Sequence, residues 1–401
     1  MKNTLQNPRM IHRLNALGVL DGHPLTLVDV GMRAGIQGYW PVFGKNLRVI
    51  GFEPDETEFK TLSAERVPYQ QIVFPYVLDS TARKRDFYLR AHNRAADGFY
   101  VGLKWWSSRL GPTVKEALPH DYASFLAQPD ERETTGNTIP IETTTFNKVA
   151  RDHNLGSVDF MKIDTEGAEL DILKGATDYL RPGGLLGLEV EIRTLPTLNS
   201  PLFQEVYSYL YDLGFYLADV DLYRRSRAAL PLPVSSDHRD HLGRPLALGH
   251  TIGGQIALGD ALFMRDLPTE RFWPEKGKPE DLYMIIKHAC LYELFAMPDC
   301  AAELLVYYRK SLLELIDVDN LLTYLVPDYF DKPVLYKDYL ELYEQRAGRI
   351  GPAASMLEQG SVDWDSGLGR TLRRLGRPLI RRVKPALDKL GLTARRHFGR
   401  S

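Results

Sequence analysis

With 401 residues and 44% apolar content, the chain is long enough for one large domain and a smaller one around a substantial core, which excludes disorder throughout. Formal charge is only −2, yet residues 370–400 carry eleven Lys and Arg against the single acid Asp388, so an acidic body precedes a strongly basic tail. The two cysteines, Cys290 and Cys300, show neither C-x-x-C nor nearby His spacing, which argues against a disulfide framework and against a zinc site.

No apolar run follows Met1, and none elsewhere approaches the roughly 20 residues of a spanning helix, so the expectation is a soluble, unexported, cytoplasmic protein. Residues 1–24 read as a lead-in helix with Ile11, Leu14 and Leu17 on one face, closed by Gly18. Leu25–Gly35 then gives a buried strand ending in Asp29, Gly31 and Gly35, with helix-compatible sequence beyond. Glycine there lets a ligand approach the backbone, and the carboxylate can accept hydrogen bonds from it; an ordinary tight turn fits the same residues. A second strand, Leu47–Pro54, ends in Glu53, roughly 20 residues past the turn, where Rossmann-type sites place an acid for a ribose diol. A third, Gln71–Asp79, brings Tyr76 and Val77 to the wall of an adenine pocket and Asp79 to its amino group, or merely to a turn.

Residues 83–138 interrupt the β/α rhythm. Arg85–Arg90 fits a hairpin strand, and the aromatic, polar stretch that follows is long enough for a lid or binding segment. Within it Trp105 and Trp106 beside Arg109 suit the floor of a sugar site, or the packing of the insertion onto the sheet. Ile139–Thr144 is a short extended piece before a helix from about Thr145 to Asn154.

Next, Asp159–Ala176 reads as a buried parallel strand delivering Asp164 to its carboxyl end, a turn through Glu166 and Gly167, and a helix burying Ala168, Ile172, Leu173 and Ala176, with Glu169 and Asp171 outward. Ligands of open α/β sheets bind at that edge. Strand Leu185–Ile192 carries Glu189 and Glu191 on one side by its period of two. Strands at Phe215–Val220 and Gly254–Met264 follow, and the sheet domain, from residue 25, ends near Leu267.

Residues 268–345 turn helical in spacing, an appendage of three or four helices. A linker over 346–369 leads to the tail at 370–401, where Leu368 to Leu390 recur every three or four residues among arginines. Such a basic amphipathic segment suits peripheral contact with an anionic membrane at its inner face, an acidic partner, or the acidic body itself; nucleic acid fits less well, since residues 368–398 hold no aromatic but Phe398.

Val28–Gly31 with Gly35, Gly51–Pro54 and the run Asp159–Ala176 together resemble the FkbM family of S-adenosylmethionine-dependent methyltransferases, most specifically at Lys162–Glu169. The resemblance spans about residues 25–265 and departs at Met32-Arg33, where many members carry Ala-Asn or Ala-His. It implies a class I methyltransferase fold with a mostly parallel seven-stranded sheet, S-adenosylmethionine as cofactor, and O-methylation of a sugar, glycan or glycosylated lipid intermediate. An edge of Asp29, Glu53, Asp79 and Asp164 suits a cationic sulfonium and would repel a dinucleotide's pyrophosphate. Glu166 is the first candidate base and Glu189 the second; Asp164 with Glu189 offers hard oxygens to Mg²⁺, which the sequence does not itself show. The alternatives are a binding or assembly module that lost turnover, and a nicotinamide-dependent oxidoreductase, disfavoured by G-x-x-x-G in place of G-x-G-x-x-G.

Overall fold

The computed structural model describes residues 3–88, 138–165, 167–194, 201–225, 253–268, 281–327 and 334–346. They fall in two compact units, Met1–Leu325 and Val326–Ser401. In the second, the described element is one helix, Tyr336–Arg346.

The first unit is built on seven strands: β1 (Leu25–Val30), β2 (Leu47–Phe52), β3 (Gln70–Phe74), β7 (Phe160–Ile163), β8 (Gly187–Arg193), β9 (Phe215–Arg225) and β10 (Gln255–Arg265). Their order is β3-β2-β1-β7-β8-β10-β9. The first five are mutually parallel, and β10 runs antiparallel to both β8 and β9, giving the reversed final hairpin. β1 and β8 are buried along their whole length, as covered parallel strands require. The chain leaves β1 toward β2 on one side and meets β7 on the other, so the switch point of the sheet lies between β1 and β7.

One face of the sheet is apolar. Val28, Val30, Ile50, Phe52, Met161, Ile163, Leu188 and Val190 pack against three helices, α3 (Phe146–Asp152), α4 (Glu169–Gly175) and α5 (Phe203–Asp212). A further helix, α2 (Glu56–Ala64), joins β2 to β3 and starts where the Asp55 side chain accepts the Thr57 and Glu58 N–H groups. The opposite face meets α1 (Arg9–Leu17), a 3₁₀ segment (Trp40–Asn46) and α6 (Leu282–Leu294), with Trp40 and Phe295 both against Phe160. The 3₁₀ segment stands where helix-compatible sequence follows the glycine turn; Pro41 and the kink at Gly44 keep it short. α6 is bound into this layer by buried polar contacts. Lys287 Nζ lies 3.0 Å from Asp159 Oδ2, the Glu293 carboxylate accepts the Met10 and Ile11 N–H groups at 2.7 and 2.8 Å, and Tyr292 donates to the Arg265 carbonyl.

The stretch from Gln71 to Asp79, expected as one strand, is two. β3 ends at Phe74, and after Pro75 the chain passes to β4 (Val77–Leu78) in a second sheet, β4-β6-β5, with β5 at Lys84–Tyr88 and β6 at Thr138–Thr144. Proline removes the ladder donor, and the chain changes sheets there.

Arg265 is the largest polar side chain of the core. It is fully buried, donates to the carbonyls of Leu185 (2.9 Å), Leu213 (2.6 Å), Arg181 (3.0 Å) and Leu180, and lies 3.8 Å over the Phe215 ring. Arg265→Met should cost about 3 kcal/mol or more, because each carbonyl left without a donor carries a desolvation cost of about 1–3 kcal/mol. Urea unfolding would read this; a loss under about 1 kcal/mol would mean water replaces the guanidinium.

Candidate active site

The carboxyl ends of β1, β2 and β7 are tied together by the backbone. Gly31 and Met32 both donate to the Phe52 carbonyl at 3.1 Å, and Asp164 N donates to the Val30 carbonyl at 3.0 Å. Gly31 has φ +86°, and a Cβ there would sit 2.1 Å from the Asp164 carbonyl oxygen, so the turn after β1 passes directly over the end of β7. Ala34 and Gly35 are also left-handed, and the side of Gly35 that would bear a Cβ faces open space.

At the end of β2, Glu53 is buried and accepts the Asp55 N–H at 2.9 Å. Burial raises its pKa, opposed by that hydrogen bond and by the Arg33 charge.

Below the turn lies a charged row set by strand register, in which Asp29 pairs with Lys162 and Lys162 with Glu189. Asp29 is 1% exposed, and neither carboxylate oxygen has a hydrogen-bond donor. Its nearest cation is Lys162 Nζ at 3.7 Å, which lies closer, 3.2 Å, to Asp164 Oδ2. Burial, with Asp164 and Glu189 nearby, pushes the Asp29 carboxyl up to about 6 against the pull of Lys162. Burial also works against the Lys162 charge, but Asp164, Asp29 and Glu189 outweigh it and hold the ammonium protonated.

Glu189 accepts from the Tyr39 hydroxyl at 2.9 Å, and that phenol is driven upward by burial and by the Glu189 charge. One row on, Glu191 pairs with Asp260 across β8 and β10 and with Arg193 at 2.9 Å, while Tyr223 donates to Asp260 at 2.5 Å. Burial and the charges of Glu189 and Asp164 push Asp260 up to about 7.

The structure therefore brings together Asp29, Gly31, Asp164 and Glu189, with Glu53 joined to them through the Phe52 carbonyl. It adds Lys162, Tyr39, Asp260 and Tyr223. Tyr76, Val77 and Asp79, expected to wall an adenine, lie beyond the end of β3. Tyr76 stacks on Phe74 at 5.7 Å and faces His153, and Val77 pairs with Thr143 in the second sheet. Asp79 is fully buried and accepts from Arg83 Nε (2.8 Å), Arg83 Nη2 (2.9 Å) and Ser80 N (2.6 Å), with its carbonyl packed on Gly175. These bonds hold its pKa low despite burial and engage the carboxylate that the sequence assigns to an amino group. Glu169, expected outward, is buried and closes the turn by accepting from Thr165 N, Thr165 Oγ1 and Gly167 N. Glu166, Trp105, Trp106 and Arg109 lie outside the described residues, as do the linker and the basic tail. Among the described residues, no group of three or more His, Cys, Asp or Glu is placed to hold a metal ion, and no helix is long and apolar enough to cross a membrane.

A seven-stranded sheet with a reversed last hairpin, a glycine turn over the β1/β7 switch point and acids at the ends of β1 and β2 define the class I methyltransferase fold. Residues 29–217 match the family model described as the methyltransferase FkbM domain. No curated protein matches the chain. Among solved structures, magnesium protoporphyrin IX methyltransferase (ChlM) from Synechocystis PCC 6803 with bound SAM is 11% identical, with 65% of this chain and 79% of that chain covered and a TM-score of 0.25. A putative hemolysin from Streptococcus thermophilus is 11% identical over 68% and 73% of the two chains, with a TM-score of 0.26. At these TM-scores neither likeness bears on the ligand or the reaction.

Proposed function

We propose that the protein transfers a methyl group from S-adenosylmethionine to a hydroxyl of a sugar, glycan or glycosylated lipid intermediate. The observation that carries the cofactor is Asp29: a buried carboxylate without a hydrogen-bond donor stands beside a glycine turn, where its charge would draw a cation. A ligand with a sulfonium and an ammonium fits this donor set, and a pyrophosphate would meet like charge. Asp29 and Glu53 would hold the cofactor, with the Gly31–Gly35 turn against it. When bound it supplies an electrophilic methyl.

The chain's own residues then have two tasks. They place an alcohol oxygen in line, and they take its proton. Glu189 suits the second, since it lies in the row of Asp29 and Lys162 and the Tyr39 hydroxyl fixes its carboxylate. Lys162, between Asp29 and Asp164, offsets the repulsion of the two acids.

Glu189→Gln separates these tasks. It should leave S-adenosylhomocysteine affinity within about threefold and lower methyl incorporation by about 10²–10⁴-fold, the usual worth of a positioned base. Calorimetry reads the first, and labelled methyl passed from S-adenosylmethionine into the glycan and lipid-linked fractions of a lysate reads the second. A folded protein that binds the homocysteine analogue but labels neither fraction would be a binding module instead.

A further inference from the structure

Lys162 is the one charge in β7, whose other residues, Phe160, Met161 and Ile163, are fully buried. Its own side chain is only 12% exposed and stands among three acids: Asp29 on β1 and Glu189 on β8 by register, and Asp164 just past the end of β7. Two other buried cations each close on a single acid, Lys287 on Asp159 at 3.0 Å and Arg193 on Glu191 at 2.9 Å. Lys162 is held differently. Its Nζ donates to Asp164 Oδ2 at 3.2 Å and stops 3.7 Å from Asp29 Oδ1.

This division runs against what folding alone would select. The Asp164 side chain is 41% exposed, so water already answers its charge, whereas Asp29 is buried and neither of its oxygens has a donor. A lysine placed for stability would give its hydrogen bond to the buried acid, and an apolar side chain of similar length would serve a buried strand at least as well. Lys162 instead limits the negative charge around Asp29 without satisfying Asp29.

Such an arrangement suits a site that must admit a cation without holding it too well. S-adenosylmethionine carries one positive charge more than its demethylated product. An edge made of acids alone would bind the charged donor more tightly than any later state of the reaction, and surplus binding of the ground state does not speed the reaction. We propose that Lys162, standing among Asp29, Asp164 and Glu189 as a fixed competing cation, sets how far the site prefers the charged donor over the demethylated product; this rests on the cofactor reading above.

The test is calorimetry on the full chain at about pH 8, where Asp29 is ionised, with S-adenosylmethionine and with S-adenosylhomocysteine, read as the ratio of the two affinities. At an effective dielectric of about 20, one unit charge acts across about 12 Å with a tenfold effect on an equilibrium constant, and salt screens a buried charge little. Lys162→Met should therefore raise the ratio about tenfold in favour of S-adenosylmethionine, and Lys162→Arg, which keeps the charge, should leave it within about threefold of wild type. A lysine kept only for the fold would lower the melting temperature when replaced by Met and leave the ratio where it was. A ratio that stays or falls in that variant overturns the proposal. Should Lys162→Met fail to fold, Asp164→Asn at its part-exposed side chain decides instead. There the ammonium loses its nearer acid and bears on Asp29, so the ratio should fall about tenfold, and an unchanged ratio overturns the proposal equally. A folded wild-type chain that binds neither compound removes the methyl-transfer reading and this inference with it, whereas binding of both with an unmoved ratio in the variants removes this inference alone.

Discussion

Asp29→Asn should weaken S-adenosylmethionine binding by about 30-fold to 1,000-fold, since truncating one partner of a desolvated charge pair costs about 2–4 kcal/mol. The same change should leave the melting temperature at pH 8 unchanged or raised. Asp29 has no donor for either oxygen, and burial pushes its carboxyl up to about 6, so the ionised group is held in the fold at a cost. The sign follows from linkage: a carboxyl whose folded-state pKa is raised favours the fold below its unfolded value and loses that contribution as pH rises through about 6. Above that pH the asparagine removes a buried charge, and Lys162 keeps Asp164 at 3.2 Å. The cofactor experiences the opposite trend. Wild-type affinity for the cationic ligand should climb from pH 5 to pH 8 as Asp29, and then Asp260 near 7, ionise, and the asparagine variant should keep only the later part of that climb. Calorimetry at three pH values with a melting curve at each checks both halves. Affinity unchanged by the substitution would remove Asp29 from the cofactor site.

Much of this site was legible in the sequence because the signals are local. A buried apolar strand followed by an acid and a glycine marks its own carboxyl end, and this locates Asp29, Glu53 and Asp164 without any tertiary knowledge. The mostly parallel seven-stranded sheet came from the family resemblance, and the strands at Phe215–Val220 and Gly254–Met264 were readable on their own. What was not legible depends on register between distant segments. Lys162 is visible as the one charge in an apolar run, but its placement between Asp29 and Glu189 requires the alignment of β1, β7 and β8. Tyr39 reaches Glu189 because the glycine turn leads into a 3₁₀ segment instead of the expected helix, a consequence of Pro41 and Gly44. Asp79 and Glu169 show the converse limit. Their positions suggested a ligand contact and an outward face, yet Arg83 and the Thr165–Gly167 turn engage them, and such pairings compete with function wherever a short acid meets nearby donors. Pro75, in the middle of an apolar run, was the readable sign that β3 ends before Tyr76 and Val77.

The second large effect is expected at the turn itself, where two glycines with nearly the same φ should behave differently. Gly31→Ala puts a methyl 2.1 Å from the Asp164 carbonyl oxygen, and the atom in the way belongs to the backbone and not to a flexible side chain. Beyond the left-handed cost of about 1 kcal/mol, the end of β7 must move away from β1, breaking the bond from Asp164 N to the Val30 carbonyl and the spacing that holds Lys162 between two acids. A total loss of about 3 kcal/mol or more is expected, in the range of overpacked core positions, together with loss of S-adenosylhomocysteine binding. Gly35→Ala shares the backbone cost, at φ +88°, but its methyl enters open space. That variant should lose only about 1 kcal/mol of stability, and any larger fall in affinity must come from the ligand meeting the methyl. Urea unfolding beside calorimetry on the two variants distinguishes a glycine kept for the fold from one kept for the ligand. Equal stability losses at the two positions would show that close packing over β7 is not what demands Gly31.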